Sequence, residues 1–261
     1  MASHTAYGFV ARRFALGASS VSRIALATLS SYLLGYFLTG FGSMLSIIAS
    51  LVGWEAFVRV ATVAWAHTIF LLVGRRLHFH GRDHIAPGAA YLVVSNHASL
   101  YDIPAVMAAV PGVALMGRDY LMRIPGFGRF LRVIRYVPID PTSARKAREA
   151  LDLAAQRVRE GTSVGIFAEG TRTETGEVQA LKRGFVHVLR AGRCDLLPVS
   201  IRGTFALKPK GSLVMNPRER IDVTIGAPLA HERLARLSDA EIMDVVRATL
   251  RDLNRSPVDE A

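Results

Sequence analysis

The sequence predicts an α/β protein whose mixed, largely parallel sheet is flanked by helices and preceded by an N-terminal membrane-associated helical hairpin. Two observations predict this architecture. Residues 24–53 are thirty consecutive residues without a charge, and from Leu77 onward short apolar runs alternate with amphipathic stretches of helical length. Short strands separated by helices are typical of an α/β domain built on a parallel or mixed sheet.

The uncharged run would form a helix of about 45 Å, which exceeds the ~30 Å hydrocarbon core of a bilayer. We therefore predict two helices, 22–39 and 44–74, separated by a break at Gly40–Ser43, where two glycines precede a residue that favours helix starts. Arginines flank this segment on both sides, which places both ends on the cytoplasmic side of the inner cell membrane. They are Arg12, Arg13 and Arg23 before it and Arg75 and Arg76 at its end. A monotopic hairpin in one leaflet is favoured; a transmembrane helix and a cleaved signal peptide are the alternatives.

The rest of the chain predicts one catalytic domain, which gives the division 1–76 for the hairpin segment, 77–255 for the domain and 256–261 for a loose tail. The clearest helices are 142–160 and a last one opened by Ser238 and Glu241, whose spacing is that of a capping box. The predicted strands are 77–80, 91–95, 113–116, 136–139, 163–167, 196–201 and 221–225.

The formal net charge is +11, and only four of the 32 basic residues are Lys. An Arg-rich excess suits a phosphate-bearing partner: nucleic acid, an anionic membrane surface or a phosphorylated substrate. The uncharged run argues against nucleic acid. Cys194 is the single cysteine, so it forms no intramolecular disulfide, and we interpret it as a small buried hydrophobe.

The chemistry-bearing motif is the H-x4-D pair His97 and Asp102, which follows the apolar strand 91–95. The spacing alone is a weak signal, because His78 and Asp83 share it. On a continuous helix the two side chains would lie about 140° apart. They can meet if His97 lies on the loop after the strand and Asp102 opens a helix as its N-cap. This context favours a catalytic pair at His97 and a structural one at His78.

Several blocks in order resemble the glycerolipid acyltransferase family, which includes bacterial 1-acyl-glycerol-3-phosphate acyltransferases. Its NH-x4-D motif is matched by Asn96, His97 and Asp102, and its third motif by the run 167–172, FAEGTR. The segment 118–128, the pair Lys182-Arg183 and the apolar strand around Pro198 also resemble family blocks. The resemblance covers about residues 77–226.

The resemblance implies transfer of a fatty acyl group from acyl-CoA or acyl-carrier protein to a lysophospholipid hydroxyl, without metal or cofactor. The expected acceptor is 1-acyl-glycerol-3-phosphate, and another lysolipid such as a lyso-ornithine lipid is the alternative. His97 would act as general base, oriented by Asp102. The expected substrate-binding residues are Asn96, Glu169, Gly170, Thr171, Arg172, Lys182, Arg145 and Pro198.

The second family motif departs from the pattern. Gly is replaced by Arg135 at its start and Arg by Pro141 at its end. Because that motif is associated with the acceptor, the acceptor's identity is left open, and Arg135 or Arg145 are the proposed sources of the missing charge.

Three other interpretations remain beside the leading one. Ser99 as a covalent nucleophile competes with a simple hydrogen-bonding role. His78 and His80 share a strand face, but no third metal ligand accompanies them. A non-catalytic membrane-surface or nucleic-acid binding protein is the alternative from another class, and it predicts strongly salt-dependent binding without activity.

Overall fold

The computed structural model describes residues 18–255 of the chain. Arg12 and Arg13, which the topology prediction uses, and the predicted loose tail 256–261 lie outside the described residues. Two long apolar helices come first, α1 (Ala18–Leu51) and α2 (Glu55–Leu72). The division of the chain at residue 76 stays a prediction.

The predicted break at Gly40–Ser43 is wrong, because α1 is one continuous helix of 34 residues, about 51 Å long. A glycine inside a helix costs only about 1 kcal/mol, which the packing of α1 against α2 offsets. The chain turns at Val52–Trp54 instead, where Gly53 adopts the left-handed conformation (φ 70°) that ends a helix. Trp65 Nε1 donates to Thr39 Oγ1 (3.0 Å) and Ser31 Oγ to the Leu72 carbonyl (3.0 Å), which joins the two helices.

The predicted strands are confirmed, with bounds that differ by no more than two residues. They are β1 (Leu77–His80), β2 (Leu92–Ser95), β3 (Ala114–Arg118), β4 (Val137–Ile139), β5 (Val164–Phe167), β6 (Leu196–Arg202) and β7 (Ile221–Ile225). Within the described residues they form one seven-stranded sheet in the order β1-β7-β6-β2-β5-β3-β4. Neighbouring strands are parallel except β6 and β7, so the sheet is mixed and largely parallel, as predicted.

Helices cover both faces of the sheet. On one face α2 and α3 (Asp102–Ala109) enclose a core that includes Phe70 and Val93, with α4 (Phe127–Val133) at its edge. On the other face lie α5 (Ala144–Arg159), α6 (Gly184–Gly192) and α9 (Asp239–Arg255). Two single-turn helices, α7 (Thr204–Leu207) and α8 (His231–Leu234), follow β6 and β7.

The two clearest helix predictions are confirmed. Helix α5 starts after Ser143, whose hydroxyl accepts from the Lys146 N–H. Before α9, the Ser238 N–H donates to Glu241 Oε2 (2.8 Å) and the Glu241 N–H to Ser238 Oγ (3.3 Å), which is a reciprocal capping box.

Candidate active site

The strand order brings the chemistry-bearing residues to one edge of the sheet. Strand β2 lies between β5 and β6 and runs parallel to both, so their carboxyl ends meet. His97 follows β2, Glu169 follows β5 and Thr204 follows β6. The carboxyl ends of parallel strands are where open α/β sheets bind their ligands.

His97 and Asp102 are in direct contact, with His97 Nδ1 2.9 Å from Asp102 Oδ2. The His97 side chain is 15% exposed, whereas the Asp102 side chain is completely buried. Because a carboxylate accepts at Nδ1, the neutral ring carries its proton there and has its lone pair on Nε2. No hydrogen bond is formed by Nε2 with any residue in 18–255. The arrangement is that of a base whose reactive nitrogen is available to a substrate.

Asp102 is held by three donors besides His97. The backbone N–H groups of Ala98 and Ser99 donate to its Oδ2 at 2.5 and 2.7 Å. Thr204 Oγ1 donates to its Oδ1 at 2.5 Å. Asp102 was expected as the N-cap of its helix, but it is the first helical residue and Tyr101 occupies the cap position. Its carboxylate binds the preceding loop instead, because the loop folds back over the helix start.

The His97 ring is also fixed by packing. It stacks on Phe167, the last residue of β5, with ring centroids 4.1 Å apart and an interplanar angle of 17°. The ring is therefore held by Asp102 at one edge and by Phe167 across one face.

Asn96 was expected to bind substrate, and in the structure its side chain is bonded within the protein. It is 3% exposed, its side-chain amide donates to the Ile201 carbonyl (2.9 Å), and its oxygen accepts from the Ile201 N–H (2.8 Å). A side-chain amide pairs with a backbone in this way much as another strand would, since it offers one donor and one acceptor. Asn96 therefore joins the loop of His97 to β6.

Glu169 has a similar supporting position. It is 3% exposed, and its Oε1 accepts from the backbone N–H of His97 (3.0 Å). Burial raises the pKa of Glu169 to about 7, while the N–H groups of His97 and Gln179 oppose the rise. Substrate contact by Glu169 stays a prediction; in the structure Glu169 contacts the backbone of the loop that carries His97.

The loop after Glu169 carries the remaining third-motif residues to the surface. Gly170 has φ 73°, and a Cβ on it would lie 2.8 Å from the Lys182 side chain, so Lys182 passes directly over it. Thr171 is exposed and Arg172 half-buried. The next residue, Thr173, donates its N–H to the His97 carbonyl (2.8 Å). Lys182 therefore lies over Gly170, and the chain after Arg172 is bonded to the His97 loop, while Arg183 pairs with Asp239 on α9 (2.5 Å). Substrate binding by Gly170, Thr171, Arg172 and Lys182 stays a prediction.

Two of the expected binding residues lie in other surroundings. Arg145 is on the exposed side of α5, where it pairs with Glu149. Pro198 is buried in β6, opposite Val94 of β2, where its carbonyl accepts from the Gly226 N–H (2.9 Å). Substrate binding by Arg145 and Pro198 stays a prediction.

Arg135 stands where the second motif usually begins with Gly, and its backbone conformation is one that favours Gly. It has φ 58°, a conformation that glycine adopts without strain. Its guanidinium donates to Thr162 Oγ1 (2.9 Å) and lies 3.9 Å from Glu55. The glycine that the second motif usually has at this position would adopt the same conformation without strain. The positive charge of Arg135 is directed toward Thr162 and Glu55.

The alternative chemistries find little support in the geometry. Ser99 is completely buried, and its hydroxyl donates to the Lys208 carbonyl (2.8 Å), which is a hydrogen-bonding role. Cys194 is buried, and burial raises the pKa of its thiol to about 11. His80 pairs with Asp222 (3.2 Å). Within residues 18–255 no group of three or more His, Cys, Asp or Glu side chains is placed to hold a metal ion.

Two residues that the sequence analysis did not single out belong to this site. Thr204 contacts Asp102, and Lys208 contacts Ser99 through its carbonyl. Their positions depend on β6 being the parallel neighbour of β2, which local sequence patterns do not specify. The run Gly203-Thr204, one residue after the apolar strand 196–201, was the available signal.

Comparison with known proteins identifies the relatives of this chain. A family model described as Acyltransferase matches residues 76–202. A 1-acyl-sn-glycerol-3-phosphate acyltransferase of Cocos nucifera is 30% identical over 148 residues, 56% of this chain and 47% of that protein. One of Borreliella burgdorferi is 29% identical over 136 residues, 51% of this chain and 54% of that protein. The chain spans about half the length of these curated relatives.

A solved structure has the same fold over most of the chain. The crystal structure of the 1-acyl-sn-glycerophosphate acyltransferase PlsC from Thermotoga maritima superposes with a TM-score of 0.78 at 24% sequence identity. The superposition covers 91% of this chain and 98% of that one. The range that the Acyltransferase model matches, residues 76–202, encloses His97 and Asp102 at the carboxyl end of β2.

Proposed function

We propose that this protein transfers a fatty acyl group from acyl-CoA or acyl-carrier protein to position 2 of 1-acyl-glycerol-3-phosphate, which gives phosphatidic acid. The observation that carries the proposal is the contact of His97 Nδ1 with the buried Asp102 (2.9 Å), inside the range that the Acyltransferase model matches. The names of the curated relatives support the choice of acceptor.

The chemistry needs a base because a hydroxyl is a weak nucleophile at neutral pH. Nε2 of His97 removes the hydroxyl proton as the oxygen attacks the thioester carbonyl, and Asp102 stabilises the imidazolium that forms. The tetrahedral intermediate then expels the thiolate, which takes a proton from His97. The thioester is activated enough for direct attack, so no acyl-enzyme is required, and the bonding of Ser99 to Lys208 agrees with that.

The same proposal includes attachment to the cytoplasmic face of the inner cell membrane by α1 and α2. Two helical stretches, Thr28–Leu51 and Glu55–Leu72, are long and apolar enough to cross a membrane by length and composition. One side of α1 exposes large apolar side chains at helical spacing, and a continuous surface of this kind marks an interaction site. We call it the outer apolar face: Leu26, Leu29, Leu33, Phe37, Phe41, Met44, Ile48 and Leu51.

A monotopic arrangement fits because α2 is also part of the protein core. Ala66 and Phe70 of α2 are completely buried against residues of the sheet and of α3. A helix that packs on the catalytic domain in this way lies along the membrane surface with the domain, while the outer apolar face of α1 enters one leaflet. This brings His97 to the surface where lysophospholipids reside.

The test is an acceptor panel with labelled acyl-CoA and acyl-carrier protein on the protein in detergent. The acceptors are 1-acyl-glycerol-3-phosphate, glycerol 3-phosphate, lysophosphatidylcholine and a lyso-ornithine lipid. We expect acylation of the first, and a loss of about 10²–10⁴-fold in kcat for His97→Ala. The matched control is His78→Ala, an exposed histidine with the same H-x4-D spacing, which should keep wild-type activity. Full activity of His97→Ala, or no acylation of any acceptor, would contradict the proposal.

A further inference from the structure

Phe167 covers one face of the His97 ring, and its position is set by the sheet. It is the last residue of β5 and lies opposite Ser95, the last residue of β2, so the two chains enter their loops side by side. Just beyond, the Glu169 carboxylate accepts from the His97 N–H (3.0 Å). The Phe167 ring packs against the core that α2 and α3 enclose, and its carbonyl accepts from the Gly170 N–H (3.0 Å). Phe167 therefore reaches His97 from a well-packed part of the protein.

The contact between the two rings is face to face. Their centroids are 4.1 Å apart and their planes differ by 17°. The described residues also contain a ring contact between His67 and Phe79, but there the centroids are 5.8 Å apart and the planes are tilted by 63°. Because the face of a benzene ring is negative and its edge is positive, Phe167 presents its negative face to His97. A cation above such a face is attracted to it.

The charge of His97 changes during the proposed reaction. The ring is neutral before it removes the hydroxyl proton and positively charged afterwards. Asp102 meets this charge at Nδ1, at the edge of the ring (2.9 Å), and Phe167 meets it across the face. An interaction that is stronger with the charged ring than with the neutral one lowers the barrier, so it raises kcat without strengthening substrate binding.

We propose that the ring of Phe167 positions His97 and stabilises its imidazolium form across the ring face. This inference rests on the proposed acyl transfer, in which His97 is the base. By covering one face of the imidazole, Phe167 helps to keep Nδ1 on Asp102 and leaves Nε2 available. The attraction between a cation and an aromatic face corresponds to an effect of about 2- to 30-fold on kcat, depending on how far the pair is removed from water.

The experiment replaces Phe167 by Leu in the full chain in detergent and measures kcat, KM and the pH dependence of acylation of 1-acyl-glycerol-3-phosphate. Leu keeps an apolar side chain on the same core and removes the aromatic face. The matched control is Phe79→Leu. Phe79 is also half-buried, packs against the same core and contacts a histidine, His67.

For Phe167→Leu we expect kcat to fall about 2- to 30-fold, while KM for the acceptor and for the acyl donor changes by no more than about threefold. The acidic limb of the pH–rate profile should move to lower pH, because the protonated ring loses a stabilising contact. Phe79→Leu should match the wild type in kcat, KM and profile. An unchanged kcat, or a lower kcat with an unshifted limb, would overturn the inference.

A series of fluorinated phenylalanines at position 167 separates the electrostatic effect from the shape of the side chain. Fluorine withdraws electron density from the ring face and hardly changes its size, so each added fluorine should lower kcat and move the acidic limb further. Because the series keeps the packing of the ring, it also serves if Phe167→Leu fails to fold. An equal kcat and an equal limb across the series would contradict the inference.

Two carboxyl groups contact His97 and affect the same pH range. Asp102 accepts from Nδ1, and Glu169 accepts from the backbone N–H. Burial raises the pKa of Glu169 to about 7, so its ionisation contributes to a pH profile near neutrality. The fluorinated series is therefore repeated in Glu169→Gln, where the limb should still move with each fluorine. A limb that moves only when Glu169 is present would assign the effect to Glu169 and sink the proposed role of Phe167.

NMR titration of the His97 ring tests the contact without turnover. Protein labelled at histidine gives one ring signal for each histidine, and the His97 signal is the one absent in His97→Ala. We expect this signal to titrate at lower pH in Phe167→Leu and progressively lower across the fluorinated series. If the wild type acylates no acceptor but this shift is present, the proposed function fails and the contact stands. If the wild type acylates 1-acyl-glycerol-3-phosphate and neither kcat nor the titration depends on the ring at position 167, only the role of Phe167 fails.

Discussion

Thr204 donates a hydrogen bond of 2.5 Å to Asp102, and both residues are completely buried. Together with the N–H groups of Ala98 and Ser99, this bond fixes both oxygens of the carboxylate. The orientation of the base therefore depends on a hydroxyl that lies two residues beyond the family match. We infer that Thr204 is a positioning residue for the proposed catalytic pair.

Replacement of Thr204 by Val keeps the shape of the side chain and removes this donor. We expect kcat/KM to fall by about 10- to 150-fold, because a hydrogen bond to a charged group contributes about 1.5–3 kcal/mol. A carboxylate with one donor fewer attracts the imidazolium more strongly, so the acidic limb of the pH–rate profile should move to higher pH. Thr204→Ser keeps the hydroxyl donor, so its kcat/KM and the acidic limb of its pH–rate profile should match those of the wild type. A lower Tm with an unshifted profile would show that Thr204 has a purely structural role.

Glu169 should make stability depend on pH. Its pKa is about 7 in the folded protein against an ordinary value of 4.5, so the folded state retains the proton to higher pH than the unfolded chain does. The stability that this group contributes below pH 4.5 is therefore lost as pH rises toward 7. Glu169→Gln cannot ionise, so between pH 5 and 8 its Tm should decrease less than that of the wild type. The exposed Glu177→Gln is the control and should follow the wild type. Parallel plots of Tm against pH for the wild type, Glu169→Gln and Glu177→Gln would argue against ionisation of Glu169 between pH 5 and 8.

Two glycines in the apolar segment should respond in opposite ways to Ala. Gly40 lies inside α1 with open space around its Cα, so Gly40→Ala should raise the free energy of unfolding by about 0.5–1 kcal/mol. Gly53 also has open space but adopts φ 70°, so Gly53→Ala should lower it by about 1–2 kcal/mol. Denaturant unfolding in detergent measures both. The reverse pattern would place the turn at residues 40–43.

A charge on the outer apolar face of α1 should weaken membrane attachment. Phe37 is 65% exposed, and burial of such a side chain in lipid contributes about 1.5–3 kcal/mol. Phe37→Glu should therefore reduce binding to vesicles of phosphatidylethanolamine and phosphatidylglycerol by at least about tenfold. Gln156→Glu adds the same charge on the exposed side of α5 and should bind as the wild type does. Equal sedimentation of both variants with vesicles would exclude this face as the contact.

The sheet was predictable from the sequence because each strand is a short apolar run bounded by polar or glycine residues. The contact of His97 with Asp102 was predictable too, since it needs only a strand, a loop and a helix start in order. The break in the apolar segment was misplaced because glycine pairs weaken a helix without ending it, whereas Gly53 ends α1 through its left-handed conformation.

The roles of Asn96, Glu169, Thr204 and Lys208 could not be derived locally. Asn96 bonds to Ile201 and Thr204 to Asp102 across about 100 residues of sequence, through contacts that exist only because β6 lies beside β2. Polar residues next to a motif suggested substrate contacts. Their hydrogen-bonding capacity is in fact used by backbone groups that the tertiary fold brings to them.

The pairing of β1 with β7 bears on how this protein is made. Leu77 lies opposite Ile221, so the first strand of the sheet waits for a partner that is synthesised about 140 residues later. At about 5–20 residues per second, that interval lasts roughly 7–30 s, during which α1 and α2 have already left the ribosome. Apolar helices exposed to water for that interval are prone to aggregation. Under the membrane attachment proposed above, delivery of α1 and α2 to the bilayer before translation ends would remove that hazard.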